Sequence, residues 1–350
     1  MIRETSKRPP APPRSFPASL SSEAPRIALR YWLATLAGLA AALAFAFSAA
    51  LADAAQLARP EVVVWGFRDG STFRVPRGIA IDAARDEVYV ANTGAHRIEV
   101  FSLEGRPLER FVHRVPGSDG LPMDGEPHGL AIDTRGRLLV IDNLGPRSVD
   151  VLDRHGRAIT RLDIPEGTPT AVTVLRDGRI LVGTSGGRSR IHEFSSNYDY
   201  RGAWGVPGST AGQLYDVTAL AETAGGEVAV ACARTELGIQ LFTPAGVFIR
   251  GFGRHDIGPG NVSLPSGIAG TGDGRIWVSD ELRQTVQVFD AEGTFLGAIG
   301  GSGLAPGCFN YPSALATDGD TVLAVTERES GRFQIFRIAQ SEEVTAGGTK

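Results

Sequence analysis

Six copies of one unit, each with a lead-in and a run of short strands, predict an all-β protein: a six-bladed β-propeller of repeats whose ring is closed by an N-terminal strand joining the last blade. Three observations carry this. Apolar anchors recur at Ile79, Leu130, Val172, Leu220, Ile268 and Leu315, at intervals of 51, 42, 48, 48 and 47 residues. Ten or eleven residues after each anchor a second apolar strand ends, at Val90, Val140, Val182, Val230, Val278 and Val325. A third strand follows with the alternation of a half-buried strand, as in RIEVF, TVQVF and RFQIF. A self-similar unit of 40–50 residues with four strands reads as a propeller blade.

The elements follow in chain order. Residues 1–26 are rich in Pro, Ser and Arg, and Arg26 and Arg30 precede an uncharged stretch from Tyr31 to Ala52 that ends Ala50-Leu51-Ala52. A basic region, an apolar core and small residues at the cut define a secretory signal peptide over 1–52, with an uncleaved signal anchor as the alternative. The expected location is periplasmic or secreted, and any membrane contact would run through this segment alone. Val62 to Phe67 form a spare strand before the first unit, and the sixth unit ends at Ile338 without a fourth strand. The spare strand therefore completes the last blade and hides two open edges. The ring spans 61–338, and residues 339–350 are expected to be a disordered tail.

Composition fits this plan and excludes others. Of 350 residues 44 are Gly, which suits many tight turns, and two Cys exclude a disulfide-stapled mini-domain. Residues 1–52 hold six Lys/Arg and two Asp/Glu, which leaves 29 basic and 37 acidic residues beyond them, a net of −8. Nucleic acid is a poor partner for such a surface. There is no Gly-x-Ser-x-Gly elbow, P-loop or dinucleotide fingerprint. Cys232 and Cys308 fall in non-adjacent blades and are expected to be free thiols.

The segments PGCFNYPSALA and VANTGAHRIEVF resemble NHL repeats, and the resemblance covers the whole ring. It implies a secreted or periplasmic bacterial-type member. The family includes lyases that release amidated peptides, RNA-binding ubiquitin ligases and secreted binding proteins. The sequence is also loosely similar to streptogramin lyases and lactonases built on related propellers.

Ligands of propellers usually sit at the axial channel mouth. In this pattern the residue two before each anchor should face it: Arg77, His128, Thr170, Thr218, Ser266 and Ser313. The amidating-lyase relatives hold zinc with His at three Pro-His positions of this kind. Here Pro127-His128 matches, and the other blades carry Thr, Ser or Arg. A second ring lies two residues after each second-strand Val: Asn92, Asp142, Thr184, Cys232, Asp280 and Glu327. Its acids could hold Ca²⁺. The stronger reading is structural: they tie loops, to backbone or to Arg97, Arg147, Arg190 and Arg332. The long insertion from His113 to Glu126 carries His113, Asp119, Asp124 and Glu126 beside His128 and reads as a solvated loop.

No cofactor is required by this pattern, although Zn or Ca could draw on His128, Asp142 and Asp280. The resulting expectation is an exported binding scaffold for an envelope protein or an extracellular ligand, without a complete catalytic set. The alternative is a metal-dependent lyase or lactonase at the channel mouth. It would use His128 as a ligand, Arg77 as a carboxylate clamp, and Asp142, Asp280 or Glu327 as metal ligand or base.

Overall fold

The computed structural model describes residues 57–340, so the expected leader and residues 341–350 lie outside the described part. Within it the chain forms six four-stranded antiparallel sheets. Blade 1 uses Pro76–Asp82, Glu87–Asn92, Arg97–Ser102 and Pro107–Val112. Blades 2 to 5 repeat this from inner strands Pro127–Ile132, Thr168–Val174, Val217–Glu222 and Pro265–Gly270. Blade 6 takes Pro312–Thr317, Val322–Glu327 and Arg332–Ile338. Its fourth strand is Ala58–Val64, which pairs antiparallel with Arg332–Ile338. Each inner strand packs against the next, and the sixth packs against the first, so the inner strands form a closed ring. The one helical turn among the described residues is Thr93–Ala95.

Burial explains the residue choice. The second strand of each blade is flanked by neighbouring blades on both faces. Leu138–Asp142 and Ile276–Asp280 are accordingly buried along their whole length. A continuous apolar run is the pattern expected of such a strand. The outermost strands face water on one side, as the part-exposed pattern of Pro107–Val112 shows.

Neighbouring blades interlock at glycine turns. Gly156 turns between the third and fourth strands of blade 2 with φ +78°, and a Cβ there would lie 2.2 Å from the ring of Phe111 on the outer strand of blade 1. Gly293 of blade 5 stands in the same relation to Phe252 of blade 4, at 2.3 Å. Glycine supplies both the left-handed backbone and the space.

The expected N-terminal strand is shifted. It begins at Ala58 and ends at Val64, with an irregularity between Pro60 and Val62. Trp65 to Phe67 instead start a tight hairpin in which Gly66 bridges Thr72. A Cβ on Gly66 would fall 2.0 Å from the carbonyl oxygen of Ser71, so the turn is closed by the missing side chain.

Closure is packed by aromatic rings. Phe333 of blade 6 lies 5.1 Å from Phe101 of blade 1 and 5.8 Å from Phe73 of the lead-in, centroid to centroid. Both Phe101 and Phe333 are fully buried. Phe333→Ala should therefore lower unfolding free energy by about 3–5 kcal/mol in urea titrations, through lost burial and a residual cavity. Leu108→Ala, at a side chain 43% exposed on an outer strand, should change it by about 0.5 kcal/mol or less.

Candidate functional site

The six inner strands share one irregularity. In blade 1 Pro76 pairs with Asn92 and Gly78 with Ala91, which leaves Arg77 as the extra residue of a β-bulge. His128, Thr170, Thr218, Ser266 and Ser313 occupy the same bulge in the other blades. A bulge re-aims a side chain out of the ladder. All six bulged residues line one axial cavity of about 360 Å³. The residue before each bulge pairs with the second ring: Asn92, Asp142, Thr184, Cys232, Asp280 and Glu327.

Four of the bulged residues stitch blade to blade. Thr170 donates its hydroxyl to the Val217 carbonyl at 2.5 Å, and Thr218 to that of Pro265 at 2.7 Å. Ser266 donates to the Pro312 carbonyl at 2.7 Å and Ser313 to that of Pro76 at 2.8 Å. Between blades 1 and 2 the donor is Thr93, to Pro127 at 2.7 Å. Arg77 and His128 make no such stitch. Arg77 is exposed to the cavity and has no side-chain hydrogen bond or ion pair among the described residues. Nδ1 of His128 is buried without a hydrogen-bond partner.

The electrostatics of this pair are distinct. Burial pushes the His128 imidazole down to about 4, the Arg77 charge adds to this, and the Asp142 charge opposes it. His128 is therefore neutral at pH 7. Two acids also reach the cavity, Asp216 and Glu281. Each has its own counter-ion, Arg234 at 3.2 Å and Arg328 at 2.5 Å. Arg77 is left as the uncompensated charge on the cavity wall.

The second ring holds loops. Asn92, Asp142, Asp280 and Glu327 accept the backbone N–H groups of Arg74, Glu126, Leu264 and Asn310, each in the segment leading into its own blade. Thr184 bonds with Arg190 backbone in its own hairpin, and Cys232 is buried, which pushes its thiol up to about 12. Both Cys are free. Of the four tying arginines expected, Arg332 reaches its ring partner Glu327, at 2.6 Å. Arg97 turns to Glu99 and Arg190 to Glu166, because the ring residues of their blades, Asn92 and Thr184, carry no charge. Arg147 makes no ion pair among the described residues, and the unexpected Arg283 lies 3.6 Å from Asp280.

A third ring escaped the sequence reading. The middle residue of each third strand is buried and polar: Glu99, Asp150, His192, Gln240, Gln287 and Gln334. Gln240, Gln287 and Gln334 donate to the carbonyls of Gln213, Asn261 and Cys308, gripping the incoming loop of their own blade. The signal was present as a polar residue at a fixed place inside an otherwise apolar strand.

Neither proposed metal fits this donor set. Among the described residues no three His, Cys, Asp or Glu side chains converge as metal ligands. His128, Asp142 and Asp280 are not brought together, because Asp142 and Asp280 are spent on backbone amides of separate blades.

The expected loop from His113 to Glu126 is also different. Arg114–Pro116 and Pro122–Asp124 pair as a small hairpin, and His113 is buried at its base. Nδ1 lies 2.8 Å from Asp142 and Nε2 3.1 Å from Asp150, which Arg161 also holds at 2.6 Å. Burial opposes charge on His113, but the two carboxylates win and raise it to about 9. The base of the loop is anchored because this imidazolium neutralises two buried acids, while its tip, residues 118–124, is exposed as expected of a solvated loop.

Comparison with known proteins places this geometry. The family model described as the SMP-30/gluconolactonase/LRE-like region matches residues 61–187, the first half of the ring. The NHL pattern of the repeats is a likeness of sequence motifs, and it is this other model that matches. Similar solved structures include a gluconolactonase from Xanthomonas campestris, at 17% identity and TM-score 0.56, covering 76% of this chain and 86% of that one. A streptogramin B lyase aligns at 14% identity and TM-score 0.54, covering 77% and 95%. A catalytically inactive histidine-to-alanine variant of virginiamycin B lyase from Staphylococcus aureus, with quinupristin, aligns at 11% and 0.53, covering 76% and 96%. Likeness at these identities shows the fold. No curated protein matches significantly.

The His113 ion cluster makes stability depend on pH. Its folded value, about 9, exceeds the unfolded 6.5. The stabilisation is complete below pH 6.5 and is lost as pH rises through 9. Burial also opposes charge on Asp142 and Asp150, but their bonds to His113 hold them below the usual range, so the gain fades again in strong acid. Urea titrations of wild type and His113→Gln should differ by on the order of 2 kcal/mol at pH 6 and by much less at pH 10.

Proposed function

We propose that the axial cavity binds a small ester or lactone and opens it by acid–base chemistry, with His128 as the base and Arg77 as the clamp on the carbonyl oxygen. The observation that carries this is a neutral imidazole with an unpartnered Nδ1, beside a guanidinium without a counter-ion, in an otherwise satisfied ring. Buried polar groups in folded proteins are almost always paired, and leaving one unpaired costs about 1–3 kcal/mol. The match to the gluconolactonase-like model and the likeness to a gluconolactonase and a streptogramin B lyase support the reading.

The chain's own groups suffice for a balanced reaction. His128 takes a proton from water as the water oxygen bonds to the carbonyl carbon. Arg77 stabilises the negative charge that develops on the carbonyl oxygen. The ring C–O bond then breaks, and the leaving alkoxide takes the proton back from His128. Water and lactone become a hydroxy acid. The low value of the free imidazole rises as negative charge develops on the carbonyl oxygen beside it, by the Coulombic effect that Asp142 already exerts.

One observation favours a non-catalytic scaffold. Four of the six mouth residues already spend their hydroxyls on backbone carbonyls, which leaves a small catalytic set. The same assay separates the two readings. Full-length protein, assayed against a panel of lactones and cyclic depsipeptides, should turn over at least one, with a rate unaffected by EDTA. His128→Asn should lower kcat by about 100-fold or more, the usual scale for a general base. Arg77→Gln should lower kcat/KM, and kcat/KM of the wild type should rise through pH 4 and level off. Saturable binding without turnover across the panel would leave the scaffold.

A further inference from the structure

The cavity is polarised across its axis. Arg77 and His128 line it from blades 1 and 2, whereas its acids, Asp216 and Glu281, line it from the segment into blade 4 and from the turn after the second strand of blade 5. In a closed ring of six, blade 4 lies opposite blade 1 and blade 5 opposite blade 2. The basic and the acidic groups therefore stand on facing walls. The arginines that partner the acids are not part of the cavity lining. Arg234, beside Asp216, has a side chain 70% exposed, and an ion pair so open to water contributes little. Glu281 is buried, and its Oε1 has no hydrogen-bond partner. Nη1 of Arg328 stands 2.5 Å away yet donates no hydrogen bond to it. Other buried carboxylates here are satisfied: Asp142 and Asp280 each accept two or more backbone N–H groups. Glu281 on blade 5 is thus the counterpart of His128 on blade 2, whose Nδ1 is also unpartnered.

From these facing walls we infer that the ligand is dipolar: a carboxylate or ester head held at Arg77, joined to an ammonium group that donates to Glu281 in the field of Asp216. The substrate class is then an ester or lactone that bears an amine. The head rests on the proposed role of Arg77, and the ammonium on the unsatisfied carboxylate across the axis. An ammonium brings three donors that rotate freely, so it can align on an oxygen that the rigid guanidinium of Arg328 misses. A neutral ligand would leave Glu281 unsatisfied, and a cation without the head would meet the uncompensated Arg77.

Titration calorimetry of the full chain tests this without reference to turnover. The probes are two pairs of acids matched in length, butyrate with γ-aminobutyrate and caproate with ε-aminocaproate. In at least one pair the amino acid should bind about 10-fold or more tighter, because a charge-assisted hydrogen bond to Glu281 is added. A site without an acidic pole gives the opposite order, since the ammonium must be stripped of water. Glu281→Gln removes the charge at nearly constant volume and leaves Arg328 with Glu329 at 3.2 Å. It should fold, keep binding of the plain acid and lose the preference for the amino acid. Asp216→Asn, which keeps an acceptor for the Gly186 N–H, should shrink that preference, and it decides the matter should a thermal melt show Glu281→Gln unfolded. The inference is overturned if neither amino acid binds tighter than its plain partner, or if the preference survives both variants. Plain-acid binding indifferent to Arg77→Gln removes the clamp itself, a failure distinct from that of the acidic wall.

Discussion

Every feature of the channel mouth depends on a β-bulge repeated at one place in six inner strands. An inner strand is the edge of its sheet, and its carbonyls face the axis with no further strand to pair them. The bulge turns one side chain per blade toward the next blade's free carbonyl. A short hydroxyl side chain fills that geometry, which is why Thr and Ser recur there. Each stitch satisfies a backbone acceptor that burial would otherwise make costly.

The candidate site is then the place where the stitch is given up. At positions 77 and 128 a side chain too long or too rigid for the bond replaces the hydroxyl, and Thr93 takes over one of the two joints from the helical turn after the second strand. Arg77, released by this exchange, faces the cavity, and His128 lines it with its Nδ1 buried and unpaired. A functional site built in this way costs the ring one hydroxyl joint out of six, that between blades 2 and 3, and leaves its architecture intact. It also explains the asymmetry of charge, since every other ionised group near the mouth already has a partner within its own or a neighbouring blade.

Much of this was legible in the sequence, because a propeller writes its period into the chain. The anchors, the second-strand valines and the unmatched strands at the two ends specified six blades and the pairing of an N-terminal strand with the last blade, though that strand runs over Ala58–Val64 and not Val62 to Phe67. Counting back two residues from each anchor located the residues of the mouth. What the residue types could not convey was the bulge, a register shift of one, or that Asp142 and Asp280 are consumed by backbone amides. The burial of His113 was hidden as well, since its acids sit 29 and 37 residues away. The four-residue segment into blade 3 was present as the shortest repeat interval, 42 residues, but stands out only beside the lengths of its neighbours.

The strand that completes the last blade comes from the other end of the ring, with Ala58 opposite Ile338. Contacts of such separation are the slowest to form, because the chain entropy of closing the loop is lost before any pairing repays it. As the chain is synthesised, the early strands wait with an unpaired edge until Arg332–Ile338 has emerged. Five blades can stack in the meantime, but the ring cannot seal. Unfilled edges of this kind recruit strands from other chains. The assembly order of this molecule is thus written into its last 20 described residues, and its hazard during biogenesis is exchange of Ala58–Val64 between two copies.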